Sequence, residues 1–118
     1  MLTFYDKNGK PIAYLDDDNE SIFLYNGSPV AWLSDDTVYS YSGKVLGWFQ
    51  DGWIRDLNGN CVFFSDNASG GPAKPAKQAK PARGAKSARP AKGARHARPA
   101  KSAKSVSWSI LSNDSFFK

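Results

Sequence analysis

Residues 4–14 read FYDKNGKPIAY and place an Asn-Gly pair between two apolar runs. Asn-Gly is the strongest short-range signal for a β-hairpin, because a two-residue type I′ turn needs positive φ at both positions. The pattern recurs around Gly27, Gly43 and Gly59, at spacings of 18, 16 and 16 residues. Residues 1–68 are therefore predicted to be four consecutive β-hairpins, and the fold class is all-β.

With a two-residue turn, each hairpin has two apolar faces. One face carries Tyr5, Phe23, Tyr39 and Arg55, four before each glycine, with Ile12, Val30, Leu46 and Val62, three after it, and the aromatic column Tyr14, Trp32, Trp48 and Phe64. The other face carries Phe4, Ile22, Val38 and Ile54, then the mostly small Ala13, Ala31, Gly47 and Phe63, then Leu15, Leu33, Phe49 and Ser65. A hairpin with one wet side would alternate apolar and polar residues. These hairpins are expected to close into a ring, with the small column and the Leu15, Leu33 and Phe49 column facing its pseudo-four-fold axis.

Charge divides the chain. Up to Ala68 there are four basic and ten acidic residues, whereas residues 69–105 contain eleven basic and no acidic ones. Such asymmetry indicates an interaction segment. The divisions expected are a hairpin domain (1–68), a basic segment (69–105) and a C-terminal end (106–118).

The basic segment repeats Ala-(Lys/Arg)-X without interruption from Ala73 to Ser105. Its cations, all candidates for anion binding, are Lys74, Lys77, Lys80, Arg83, Lys86, Arg89, Lys92, Arg95, Arg98, Lys101 and Lys104. A period of three suits polyproline II, in which the cations would share one ridge about 9 Å apart. Three interpretations remain open: a solvated linker, a ridge for an anionic polymer or membrane surface, and a segment that folds back on its own acidic domain.

The C-terminal end alternates Val106, Trp108 and Ile110 with serines, which is typical of a half-buried strand. We expect this strand and the aromatic pair at Phe116 and Phe117 to dock on the ring. The basic segment would then be fixed at both ends.

Four Gly-turn hairpins with trailing aromatic residues, followed by Ala/Lys/Arg triplets, resemble the four-fold β-flower domain, a family of small bacterial proteins. The resemblance implies a shallow barrel with hairpin petals and an apolar centre, and it implies no established activity. An apolar or lipid-like ligand at the axis is suggested only by analogy with barrels of the tubby-like class.

No set of residues predicts catalysis. His96 is the only histidine and lies inside the basic segment, and the single Cys61 falls on a repeat position expected to be buried. No zinc site or other cofactor site is readable. The column Asp17, Asp35 and Asp51 fits turns better than a calcium ring. The aromatic column is either core or a surface for sugars or quaternary ammonium groups.

Two functional hypotheses follow, neither of them an enzyme. The first is a binding or scaffold module with an apolar axis and a basic segment for anionic partners. The alternative is a nucleic-acid-associated protein acting through the basic segment. We see neither a signal peptide nor an apolar run long enough to span a membrane, so the cytoplasm is expected.

Overall fold

The computed structural model describes residues 1–118, and eight antiparallel strands form a closed barrel within it. The strands are β1 (Leu2–Tyr5), β2 (Pro11–Leu15), β3 (Ser21–Leu24), β4 (Pro29–Ser34), β5 (Thr37–Tyr39), β6 (Val45–Gln50), β7 (Trp53–Asp56) and β8 (Cys61–Phe64). Each strand pairs with the next, and β8 returns to β1. We call β1–β2, β3–β4, β5–β6 and β7–β8 petals 1 to 4, and the eight strands the ring. The predicted four-hairpin ring is confirmed.

The turns within the petals differ from the predicted two-residue type. In petal 1 the Asp6 N–H donates to the Lys10 carbonyl and the Gly9 N–H to the Asp6 carbonyl, both at 2.9 Å. The Asp6 carboxylate also accepts the N–H groups of Asn8 and Lys10. This is a longer turn with a glycine bulge, in which Gly9 has φ +78°.

The bulge changes which residues face inward. Tyr5 pairs with Pro11 rather than with Ile12, and equivalent register shifts occur in the other three petals. Ile12 and its counterparts Val30, Leu46 and Val62 therefore pack with the interior core and not with the outer aromatic face. The face predicted for this column was wrong, because two residues oppose one at a bulge.

Two of the three turns between petals have the two-residue form. Ser34 pairs with Thr37 and Gln50 with Trp53, which leaves Asp35–Asp36 and Asp51–Gly52 as the turns. Asp35 and Asp51 both have φ +53°. The aspartate column thus forms turns, as its composition indicated.

The seam of the ring is its weakest junction, since β1 and β8 share one residue pair, Tyr5 with Phe64. Two other segments bridge this seam. Lys77 near the start of the basic segment pairs with Asp66 after β8, and the Gln78 N–H donates to Gly9 in petal 1. At the opposite end of the chain, the Ser112 hydroxyl donates to the Val62 carbonyl at 2.6 Å and accepts the Lys7 N–H at 2.9 Å.

The C-terminal end forms less strand than predicted. Trp108 makes a single parallel bridge with Cys61, and its ring packs against Trp53 at 5.6 Å between centroids. Val106 is 71% exposed and Ile110 90% exposed, so the expected alternation is wrong for these two residues. A 3₁₀ helix at Asp114–Phe117 ends the chain.

Candidate functional site

Residues 73–105, which we call the strap, run around the outside of the ring without helix or strand structure. In each petal one strap N–H donates to the carbonyl of the turn glycine. The four bonds are Gln78 to Gly9 (2.8 Å), Ser87 to Gly27 (2.9 Å), His96 to Gly43 (2.9 Å) and Ser105 to Gly59 (3.1 Å). The strap therefore advances by nine residues, or three triplets, per petal.

The nine-residue advance explains the order of the X residues. Proline has no N–H to donate, and Pro81, Pro90 and Pro99 recur every nine residues between the donors. Gly84 and Gly93 make a second bond in their petals, to the carbonyls of Tyr25 and Tyr41, each at 2.7 Å. The sequence therefore carries a nine-residue frame within the period of three, and the triplet period alone does not reveal it.

The turn glycines also let the strap approach closely. A Cβ at Gly27 would overlap the Ala85 carbonyl oxygen, and one at Gly43 would overlap that of Ala94. A Cβ at Gly9 would likewise overlap the Ala76 carbonyl oxygen, and one at Gly59 would overlap that of Ala103. Glycine is needed here for contact with the strap as well as for its positive φ.

The predicted aromatic column lies beneath the strap. Its members stack in pairs with the residue on the next strand: Tyr14 with Phe23 (5.8 Å), Trp32 with Tyr39 (4.8 Å) and Phe64 with Tyr5 (5.2 Å). Tyr14 and Phe64 are fully buried, Trp48 is 2% exposed and Trp32 is 6% exposed. These rings form the outer wall of the ring and leave no open aromatic surface.

Strap cations cover this wall. Lys92 lies 4.6 Å from the Trp32 ring centroid, Arg83 5.4 Å from that of Tyr14 and Lys101 5.5 Å from that of Trp48. Ammonium and guanidinium groups are attracted to aromatic faces at such distances. The repeat thus places one or two cations against the wall in each of the four quadrants.

Arg55 replaces an aromatic residue at the fourth corner, where it pairs with Trp48. Its guanidinium donates to the carbonyls of Gly59 at 2.7 Å and Ser105 at 2.6 Å. Only 3% of the residue is exposed, so Arg55 does not reach solvent. Arg55 fixes the last strap residue to petal 4.

Six strap cations pair with acids in the turns between petals and after β8. Lys104 meets Asp51 at 2.7 Å, Lys86 meets Asp16 at 2.8 Å and Arg89 meets Asp18 at 3.2 Å, and Lys77–Asp66, Lys92–Glu20 and Lys101–Asp36 complete the set. Hydrogen bonds from Lys101, Lys104 and Lys77 lower the pKa values of Asp36, Asp51 and Asp66. Because these groups lie at the surface, each pair adds little stability.

Five strap cations have no carboxylate partner. Lys74 donates to the Ala68 carbonyl, Arg83 contacts the Met1 sulfur and Arg95 contacts the Ser34 hydroxyl. Lys80 and Arg98 make neither hydrogen bond nor ion pair with the ring. These two are the most available charges of the strap.

The axis residues occupy a packed core. Ala13, Ala31, Phe63 and Leu15 belong to the interior cluster, against which Leu33 and Phe49 pack half-buried. The Phe116 ring meets Phe63 edge-on at 5.8 Å and also abuts the position that a Gly47 side chain would take. The five cavities in the structure all lie at the surface, and none is lined by Ala13, Ala31 or Phe63.

The remaining side chains that could carry chemistry have structural roles. Cys61 is fully buried, and burial raises the pKa of its thiol. His96 uses its backbone N–H to bind Gly43. No three histidine, cysteine or acidic side chains come together in a way that could hold a metal ion.

This architecture defines a class of small β-proteins: a closed ring of four hairpin petals encircled by its own C-terminal segment. The 4-fold beta flower family model matches residues 2–117, and the chain belongs to that family, which is not a known family of enzymes. No match was found among curated proteins or among solved structures. None of the helical structure is long and apolar enough to cross a membrane.

Proposed function

We propose that this protein is a non-catalytic scaffold module that holds a cationic strap in an extended form and presents it to a flexible phosphate polymer. The observation that carries the proposal is the mode of strap attachment. Main-chain hydrogen bonds to Gly9, Gly27, Gly43 and Gly59 repeat around the ring, so the strap does not depend on its charges alone to stay in place.

Attachment through the backbone leaves the charges available. The paired strap side chains keep between 41% and 51% of their surface exposed. A disordered basic tail loses conformational entropy when a partner orders it, whereas this strap is already ordered. We expect the ordered array to bind a polyanion more tightly than the same sequence would as a free peptide.

The shape of the molecule favours a flexible polymer over a duplex or a membrane. The protein is a disc of 36 × 36 × 22 Å with the strap around its outer side. Duplex DNA, with a persistence length of about 50 nm, cannot follow so tight a curve at low cost. A flat membrane would meet only one arc of the rim, while single-stranded nucleic acid or inorganic polyphosphate can follow it.

Other candidate roles have less support. The packing of Phe63 against Phe116 leaves an apolar ligand no space at the axis unless Phe116 moves.

The free Cys61 is compatible with a reducing compartment, so we place the activity in the cytoplasm, as the sequence suggested.

The test compares two double variants that each remove two charges. Lys80→Gln/Arg98→Gln removes the cations that make no contact with the ring, and Lys77→Gln/Lys104→Gln removes two that pair with Asp66 and Asp51. Binding of an oligothymidylate, its duplex, inorganic polyphosphate and anionic vesicles is measured for both variants across a salt series. The first variant should bind the oligothymidylate more weakly, with the salt slope reduced by about 1.4 for two single-strand phosphate contacts.

The control variant, Lys77→Gln/Lys104→Gln, distinguishes the effect of where the charges lie on the strap from the effect of net charge. Its melting temperature should change little, because exposed ion pairs add little stability, and its loss of polymer affinity should be smaller than that of Lys80→Gln/Arg98→Gln. Equal losses of affinity in the two variants would show that charge alone matters. Stronger binding of duplex DNA or of vesicles than of the single strand would also refute the proposal.

A further inference from the structure

The outer wall of the ring is itself a binding site with four similar subsites. Each subsite offers a turn-glycine carbonyl to one N–H, a gap that only a backbone can enter, and an aromatic face for a cation. We propose that this wall binds extended Ala-(Lys/Arg)-X chains, and that the strap of a second copy of this protein occupies it in trans. Binding of a strap at this wall does not involve a phosphate polymer.

None of the subsite contacts requires the strap to belong to the same chain. The bonds from Ser87 to Gly27 and from His96 to Gly43 join residues more than 50 positions apart. A strap from another copy would make the same bonds, so exchange changes only the connection between ring and strap. Exchange of identical elements is a low-cost route to dimers for this reason.

The connection has the properties of a hinge. Gly70 and Gly71 join ring to strap with φ values of +71° and +73°, and a Cβ at Gly70 would meet no atom within 4 Å. On the ring side the chain is held, because the Ser69 N–H donates to Asp51 and its carbonyl accepts the Trp53 indole N–H. The chain can thus turn away from the ring at Gly70 while residues up to Ser69 stay attached to it.

The nine-residue frame selects a second copy over other basic chains. A strap shifted by three residues would bring Pro81 and Pro90 to the positions where Gln78 and Ser87 donate, and those bonds would be lost. At its end the occupant also needs Trp108 against Cys61 and Ser112 against Val62. A chain that satisfies all of these contacts has the sequence of this strap.

A cross-linking experiment on the full-length chain tests the proposal. The Gln78 side chain contacts the Asn8 carbonyl at 3.2 Å, whereas His96 binds the turn of petal 3 on the opposite side of the ring. Differently tagged Asn8→Cys and Gln78→Cys chains are mixed, oxidised and analysed for disulfide-linked heterodimers. The control mixes Asn8→Cys with His96→Cys, and the double variant Asn8→Cys/Gln78→Cys reports the strap in its own ring.

A short linker gives the strap an effective concentration of about 1 mM near its own ring, so exchange should become visible near that protein concentration. We expect heterodimers from the Asn8→Cys and Gln78→Cys mixture but not from the control. Deleting Gly70 and Gly71, which strains the return of the strap, should lower the required concentration at least tenfold. Equal heterodimer yields from the two mixtures, or a monomeric hinge deletion, would overturn the proposal.

Discussion

Replacing Gly27 with alanine tests whether the strap is held by close contact with the turn glycines. Gly27 is buried with φ +94°, and a Cβ there would overlap the backbone oxygen of Ala85. Gly70 provides a matched control, since it also has positive φ, +71°, but has open space around it. Both substitutions strain the backbone, and only Gly27→Ala displaces the strap.

The expected losses of stability differ because of this contact. An alanine at positive φ costs about 1–2 kcal/mol at either position. At Gly27 the displaced strap also loses the bonds from Ser87 to Gly27 and from Gly84 to Tyr25, worth about 1 kcal/mol each. We therefore expect the free energy of unfolding to fall by about 3–4 kcal/mol for Gly27→Ala and by about 1–2 kcal/mol for Gly70→Ala.

Urea unfolding followed by tryptophan emission measures both losses, and amide hydrogen exchange at Ser87 reports the strap directly. The Ser87 amide should exchange faster in Gly27→Ala and at the native rate in Gly70→Ala. If the two variants lose the same stability and protect Ser87 equally, the strap does not depend on the glycine contact. The model of attachment would then be refuted.

Three further predictions concern the strap frame, the axis and pH. Ser87→Pro removes an N–H donor and should cost about 1–3 kcal/mol, whereas Pro90→Ser, in a position without a donor, should change stability by less than about 1 kcal/mol in thermal denaturation. Phe116→Ala should cost about 3–5 kcal/mol in urea unfolding, because it empties the axis. Acidification should loosen the strap. The hydrogen bond from Lys101 lowers the pKa of Asp36 below its ordinary value of 3.8 in the folded protein. The stability that this pair contributes is therefore fully present above pH 3.8 and is lost as the pH falls through the pKa that Asp36 has in the folded protein. Strap amide exchange measured across that pH range checks this.

Each of these predictions has a clear contrary result. Similar melting temperatures for Ser87→Pro and Pro90→Ser would contradict the nine-residue frame. Wild-type stability of the Phe116→Ala variant would mean that the ring does not need the Phe116 side chain at its axis. Unchanged strap exchange at low pH would show that backbone bonds alone hold the strap.

The sequence determined the number and order of the hairpins. A glycine turn every 16 to 18 residues, with apolar residues on both faces, is local information, and closure follows because both faces must be covered. It also contained the strap frame, since Pro72, Pro81, Pro90 and Pro99 are nine residues apart. The frame can be interpreted only from the fold, in which the strap uses nine residues to pass from one petal to the next.

The tertiary structure decided what depends on contacts between distant residues. The Asp6 carboxylate selects a longer turn over the Asn-Gly turn, and the resulting bulge moves Ile12 inward. Arg55 is placed by carbonyls of Gly59 and Ser105, the latter 50 residues away. Periodicity reports which side of a strand a residue faces, but not which distant group meets it there, so the strap's course around the ring and the filling of the axis by Phe116 emerge only from the fold.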